Sequence, residues 1–208
     1  MDRQSLAARL REDTRDAHGI VESTPFVRQL FSGRATPALY RRYLRQLHAV
    51  YTALEETGPR SAPVAHLFDP ALSRADALAQ DLDWWFESAN WQDEPIADAT
   101  STYVDRIGTV ANREPVRLIA HHYVRYLGDL SGGQAIKRVV CRVYGLTGEV
   151  GSAFYAFPHI PDPETYKALY RSRLDGFPLD AASIDAVVDE AQQAFDLNKR
   201  LFEALATG

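Results

Sequence analysis

Three glycines inside one helical stretch constrain this chain more than any other feature. From 117 to 145, Ile119, Tyr123, Tyr126, Leu127, Leu130, Ile136, Val140 and Val143 recur at three- and four-residue steps, which predicts one long helix. Gly128, Gly132 and Gly133 sit in its middle. Each should destabilise a helix interior by about 1 kcal/mol relative to alanine, so something must offset them. At ~100° per residue, with Gly128 at zero, Gly132 falls near ~40°, Asp129 near ~100° and Gly133 near ~140°. One side of the helix is therefore stripped of side chains, with a single carboxylate in the bare arc. Such a face lets a neighbour approach the backbone closely and lets the helix bend. Tight helix–helix packing would use the glycines equally well. An unpaired aspartate in a dry helix contact is expensive, however, so a flat ligand over the glycines with Asp129 at its edge fits better.

Composition narrows the class. A length of 208 residues suits one domain over 1–208, and 46% hydrophobic with 25% charged residues is ordinary for a globular protein. The net charge of −5 provides no basic field for nucleic acid. No apolar run approaches the ~20 residues of a membrane span, and the opening Met-Asp-Arg-Gln-Ser lacks an apolar signal core. Cys141 is the only cysteine, which leaves no intrachain disulfide and no cysteine-rich metal site. A cytoplasmic enzyme or binding protein is expected, without nucleic-acid or membrane partners.

Capping signals divide the rest of the chain. A first helix is expected from Asp2 or Ser5 to Glu22. Thr24-Pro25 opens a short helix closed by Gly33, and Thr36-Pro37 opens a long one to Thr57 with Tyr40, Tyr43, Leu44, Leu47, Tyr51 and Leu54 inward. After a loop from Arg60 to Phe68, Asp69-Pro70 opens a helix through Phe86, and Glu87 to Pro95 reads as surface loop. A further helix covers Ala99 to Ala111, with Tyr103, Val104 and Ile107 inward. Glu114-Pro115 opens the glycine-bearing helix and Gly145 closes it. Residues 147 to 161 read as irregular, Asp162-Pro163 starts a helix to Leu174, and Asp180 caps a last one from Ala181 to Leu205. No stretch alternates with period two, so the expected fold is an all-α bundle of about eight helices with short links.

Leu6, Leu10, Thr14, His18 and Val21 share a stripe, which puts His18 on the expected core face with Glu22 one turn on. A core histidine is more often structural than a ligand, but a carboxylate one turn away can orient a metal-bound imidazole. The remaining histidines form no His-x-x-x-His or Glu-x-x-His pair, so a multi-histidine metal site is not expected. One histidine as sole protein ligand suggests heme, whose porphyrin supplies the other nitrogens. Lys167, Tyr170 and Arg171 fall on one helix face, and Arg11 precedes His18 by two turns. Such cations could pair with two propionates or simply form a solvated face. Cys141 lies between Arg138 and Arg142 without a base partner, and reads as a small structural hydrophobe rather than a nucleophile.

These stretches strongly resemble the heme oxygenase family. Arg125-Tyr-Leu-Gly-Asp-Leu-Ser-Gly-Gly-Gln134 is similar to its distal-helix signature, and Thr14-Arg-Asp-Ala-His18 with Glu22 to its proximal-histidine segment. Tyr51 to Glu56, Phe195 to Phe202 and Lys167 to Arg173 resemble flanking and propionate-binding blocks. The resemblance implies that heme b is sandwiched between a proximal and a glycine-rich distal helix, with His18 as iron ligand. It implies that Gly128, Gly132 and Gly133 let the distal helix bend over the heme, and that Phe195 contacts it. It implies further that Asp129 anchors a distal water network that Tyr51, Arg125 and Asn198 join or support, and that Arg11, Tyr123, Lys167 and Arg171 hold the propionates. Arg11 departs from the lysine common there, which keeps the charge but changes the geometry. The implied reaction opens heme to biliverdin (the IXα isomer), carbon monoxide and ferrous iron with O2. Because the chain has no nicotinamide or flavin motif, electrons are expected from an external reductase or ferredoxin. Two rivals remain at this point: a heme-binding or transfer protein without turnover, and a thiamine-degrading hydrolase on a related fold, which would need Cys141 as nucleophile.

Overall fold

The computed structural model describes residues 4–62, 64–87 and 90–206. The expected helix start at Asp2 lies outside the described residues, as do residue 63 of the first expected loop, residues 88 and 89 of the second, and residues 207 and 208. The regular elements described are all helical.

Ser5 caps α1 (Leu6–Asp13) by accepting from the Ala8 amide at 3.4 Å. The expected single helix to Glu22 is broken at Thr14, whose backbone leaves the helical region (φ −106°, ψ 3°) and whose hydroxyl donates back to Leu10 O at 2.6 Å. The chain resumes as α2 (Arg15–Glu22). Pro25 opens α3 (Pro25–Phe31), and the Thr36 side chain caps α4 (Pro37–Thr57). The inward residues expected for α4 are all buried. The helix expected from Asp69-Pro70 is instead a short 3-10 turn, Pro70–Leu72, followed by α5 (Ala75–Phe86). Glu55 explains that division, since it accepts from the Arg74 and Ala75 amides at 2.6 and 3.2 Å and so fixes a fresh helix start. In the expected loop beyond Glu87, residues Trp91–Asp93 form another 3-10 turn. α6 (Asp98–Arg113) buries Tyr103 and Ile107 and half-buries Val104.

Glu114-Pro115 opens a 3-10 turn that leads into α7 (Leu118–His122). A π-helical segment, Tyr123–Leu127, joins it to α8 (Gly128–Tyr144), and Gly145 closes the run in the left-handed region at φ 68°. The bend expected at the glycines is therefore a widened turn just before them, and α8 runs as regular helix through all three. Asp162 caps α9 (Pro163–Asp175), and α10 (Ala181–Ala206) ends the described chain. α4 packs on α5 and α6, while α10 packs on α2, α3, α6 and α7. No helix among the described residues is long and apolar enough to cross a membrane.

The irregular stretch after α8 is buried from Gly151 to Phe157. Buried backbone without a ladder needs partners, and distant side chains provide them. Asp81 accepts from the Ala153 and Phe154 amides at 2.7 and 2.8 Å. Arg74 donates to Phe154 O at 3.2 Å and also to Ala156 O, and Trp85 Nε1 donates to Gly151 O at 2.8 Å. Gln134 Nε2 donates to Tyr155 O at 2.9 Å, which ties the stretch to α8. Replacing Asp81 with alanine strips two buried amides of their acceptor and should destabilise the fold by about 3 kcal/mol. Urea unfolding of Asp81→Ala tests this, and an unchanged midpoint would mean that those amides find other acceptors.

Candidate functional site

α2, α3, α8 and α10 enclose a cleft of about 300 Å³. Val21, Phe26, Leu30, Ile136, Phe195 and Phe202 make most of its wall apolar. α2 contributes His18 and Glu22, the π segment Arg125, α8 Gly128, Asp129 and Gly132, and α10 Asn198.

His18 is not a core residue. Its side chain is 53% exposed, and α2 buries no residue at all. The break at Thr14 ends the buried stripe of α1, so the stripe's continuation faces the cleft instead of the packed interior. The imidazole Nδ1 lies 3.7 Å from Glu22 Oε2, and the ring meets Phe195 edge-on at 5.8 Å. No protein atom among the described residues occupies Nε2. The described residues include no group of three or more His, Cys, Asp or Glu side chains able to hold a metal ion, and His18 is the histidine that lines the cleft.

The glycine arc divides in two. A β-carbon on Gly128 or Gly132 would meet nothing within 4 Å, and both line the cleft. Gly133, expected with them, does not: it is buried, and a β-carbon there would lie 3.4 Å from Tyr155 Cδ1. At ~140° around the helix from Gly128 it has passed from the cleft wall to the side packed on the 151–157 stretch.

Between these faces stands a buried polar network. Tyr51 OH donates to Asp129 Oδ2, and Arg125 Nε and Nη2 donate to Tyr51 OH at 3.2 and 3.1 Å. Arg125 Nη1 donates to Asn198 Oδ1 at 2.8 Å, and Arg125 Nη2 lies 3.6 Å from Asp129 Oδ1. Burial pushes the Asp129 carboxyl above its ordinary range, and Arg125, the Tyr51 hydrogen bond and Arg74 pull back only part of that rise. A carboxyl so placed keeps its proton to higher pH than a solvated one does.

Arg11, Tyr123 and Arg171 gather where the cleft continues past His18 and Phe195. Lys167 does not join them. It is buried, and its Nζ pairs with Glu164 Oε1 at 2.8 Å, three residues back on the same helix. The face expected to carry Lys167, Tyr170 and Arg171 together is thus split, with only Arg171 exposed. Cys141 is half-buried with Sγ 3.7 Å from Ser152 Oγ, and it does not line the cleft.

Sequence reasoning missed part of the polar network. Tyr103, expected only as core, accepts from Asn198 Nδ2 at 3.4 Å. Tyr126 OH donates to Glu55 Oε1 at 3.0 Å, and its ring packs edge-on against Tyr51 at 5.5 Å. The signal available was the phenol itself, since a buried tyrosine hydroxyl needs a polar partner.

Comparison with known proteins identifies the family and the fold. Residues 4–204 match the family described as heme oxygenase. Heme oxygenase 1 of Synechocystis sp. is 38% identical over 205 residues, which cover 97% of this chain and 85% of that protein. The crystal structure of Synechocystis heme oxygenase-1 in complex with heme superposes with a TM-score of 0.92 at 38% identity, covering 97% of this chain and 92% of that one. The heme oxygenase structure from Leptospira interrogans also gives 0.92, at 36% identity, covering 97% and 100%.

Arg125 holds the Asp129 carboxyl down, so its removal should raise that pKa further. Arg125→Met should shift the Asp129 titration to higher pH, read by carboxyl NMR, and destabilise the fold by about 3 kcal/mol. An unshifted Asp129 titration would mean that burial, Tyr51 and Arg74 set the carboxyl's charge state without Arg125.

Proposed function

The chain belongs to the heme oxygenase family, and we infer from this that it is an enzyme that cleaves heme to biliverdin, carbon monoxide and ferrous iron. We further propose that it works in the cytoplasm as one domain over residues 1–208, using O2 and electrons from a separate ferredoxin or flavoprotein reductase. The observation that carries the reading is a single cleft holding a lone imidazole, two side-chain-free glycine positions and a buried carboxylate network. The residues suit heme: an apolar slot for the macrocycle, an imidazole with Nε2 free, and cations at one end for the propionates. Heme supplies the oxygen-activating iron and the macrocycle that is opened.

His18 binds the iron through Nε2, and Glu22 keeps the ring oriented through Nδ1. Gly128 and Gly132 keep the other side free of side chains. Asp129 holds water at the cleft and moves protons through it, while Tyr51, Arg125 and Asn198 fix the carboxylate in place. Phe195 flanks the imidazole and helps to exclude bulk water. Arg11, Tyr123 and Arg171 orient the propionates, and so select the meso carbon that gives the IXα product. Lys167 reaches them after exchanging Glu164, an exposed partner that holds it only weakly. Gly133 serves the site indirectly, by seating α8 on Tyr155. A transfer protein would need neither the bare glycines nor the part-buried carboxyl beside them. A hydrolase would need its nucleophile in the cleft, where Cys141 is not.

Hemin and a reductant under air should convert the Soret band into a biliverdin spectrum, and a stable heme complex would sink the proposal. His18→Ala should fold and bind heme without histidine ligation, with free imidazole restoring the complex in part. A histidine-ligated spectrum from that variant would move the ligand elsewhere.

Asp129→Ala should bind heme nearly as tightly as the parent yet lose most biliverdin formation, with Asp129→Asn between. Heme titration paired with product yield checks this. Unchanged yield in the alanine variant would remove Asp129 from proton delivery.

A further inference from the structure

Tyr43 lines the heme cleft, and oxidisable rings lead away from it to the surface. Its ring centroid lies 6.0 Å from Tyr40, Tyr40 lies 5.1 Å from Trp85, and Trp85 lies 5.0 Å from Trp84. The first three are buried, whereas Trp84 is 44% exposed. The other rings in contact with Tyr43 are Phe26 and Phe202, phenyl groups that do not give up an electron readily. Tyr144 touches Tyr40 at 5.4 Å and Trp85 at 5.1 Å, beside the same two rings, while the rings of Tyr51 and Tyr126 lead to His122 and Tyr170 in the buried core. Sulfur offers little alternative as an oxidation sink, because the sequence has one methionine, Met1, and one cysteine.

We propose that Tyr43, Tyr40, Trp85 and Trp84 form a conduit that carries one-electron oxidising equivalents from the heme cleft to the protein surface when a hydroperoxide oxidises the bound heme. The inference rests on heme occupying the cleft. Reduction of the hydroperoxide breaks its O–O bond and takes two electrons and two protons, giving an alcohol and water. The heme supplies both electrons and regains them singly through the four rings. Each electron leaves Trp84 with its indole proton, which passes to solvent and balances the protons consumed. An enediol reductant such as ascorbate then restores Trp84, two one-electron oxidations of reductant matching each hydroperoxide reduced.

The partners of each ring suit its place in the series. Tyr40 OH donates to Tyr155 OH at 3.4 Å, a bond along which the phenolic proton can shift and return. Trp85 Nε1 donates to the Gly151 carbonyl at 2.8 Å, a weak base that leaves the indole proton in place, so the charge moves on. Trp84 packs over Gly151, whose φ of 71° admits a backbone that no β-carbon would allow beside the indole. That contact holds the two indoles edge to face, at 90°.

The test uses the heme-loaded full chain treated with tert-butyl hydroperoxide without reductant, then digested and mapped for oxidised residues by mass spectrometry. Heme affinity and biliverdin yield are recorded on the same preparations. Trp84 should carry most of the indole oxidation, severalfold more than in the heme-free chain given the same hydroperoxide. Tyr40→Phe should lower Trp84 oxidation severalfold with heme affinity and biliverdin yield unchanged. Trp84→Phe, a change at an exposed side chain, should speed hydroperoxide bleaching of the heme severalfold, and ascorbate should suppress Trp84 oxidation in the parent. Equal Trp84 oxidation without heme, or undiminished oxidation in Tyr40→Phe, overturns the conduit. Heme binding and biliverdin formation beside an unoxidised Trp84 overturn the conduit alone, whereas failure to bind heme overturns the functional reading with it.

Discussion

The buried guanidinium of Arg125 is the interaction on which the rest depends. It touches Tyr51 on α4, Asn198 on α10 and Asp129 on α8 from its own place in the π segment. A cation taken out of water is tolerable only if its donors are matched, and here a carboxylate, a phenol and a carboxamide match them. The same contacts fix the relative positions of three helices around the cleft. Stability and site geometry are therefore not separable here: the groups that hold the helices in register are the groups that set the charge on Asp129.

Around this polar knot the cleft is mostly hydrocarbon. An apolar wall gives a flat macrocycle its affinity, while the few polar groups give it a direction. The glycines make the arrangement possible by removing volume from one helix face. Their intrinsic helix penalty is offset by the packing of α8 on its other sides, where Leu130 and Val140 are buried and Gly133 seats Tyr155.

Helix starts were legible at most cap-and-proline signals, although Asp69-Pro70 carries the same signal and opens only a 3-10 turn. Thr36-Pro37 and Asp162-Pro163 each carry a cap and a proline within two residues, and both helices begin there. Helix breaks caused by a distant partner were not. Glu55 restarts the chain at Arg74 and Ala75 from about a score of residues away, and nothing near Ser73 signals it. The split at Thr14 needs one hydroxyl to turn back on Leu10, a choice that the apolar stripe does not record. Most of the expected site residues gather at the cleft because the glycine arc and the His18–Glu22 spacing are properties of single helices. Lys167 and Gly133 fall outside it for reasons periodicity cannot see, an acidic neighbour in one case and a buried loop in the other. That loop itself, 151–157, read only as irregular, since its acceptors and donors sit on α5 and just before it.

The π segment at Tyr123–Leu127 acts as a phase shifter. A widened turn accommodates one more residue than regular α-helix would, so the faces before and after it are offset by ~100°. Upstream, Leu118, Ile119, Ala120, His121 and His122 are all buried; downstream, Gly128 is exposed and lines the cleft together with Asp129. Deleting a single residue there would mend the hydrogen-bond ladder and yet rotate one half of the helix against the other. The core half and the cleft half could then not both face their partners. The irregularity is thus the joint that lets one continuous rod obey two incompatible sets of neighbours.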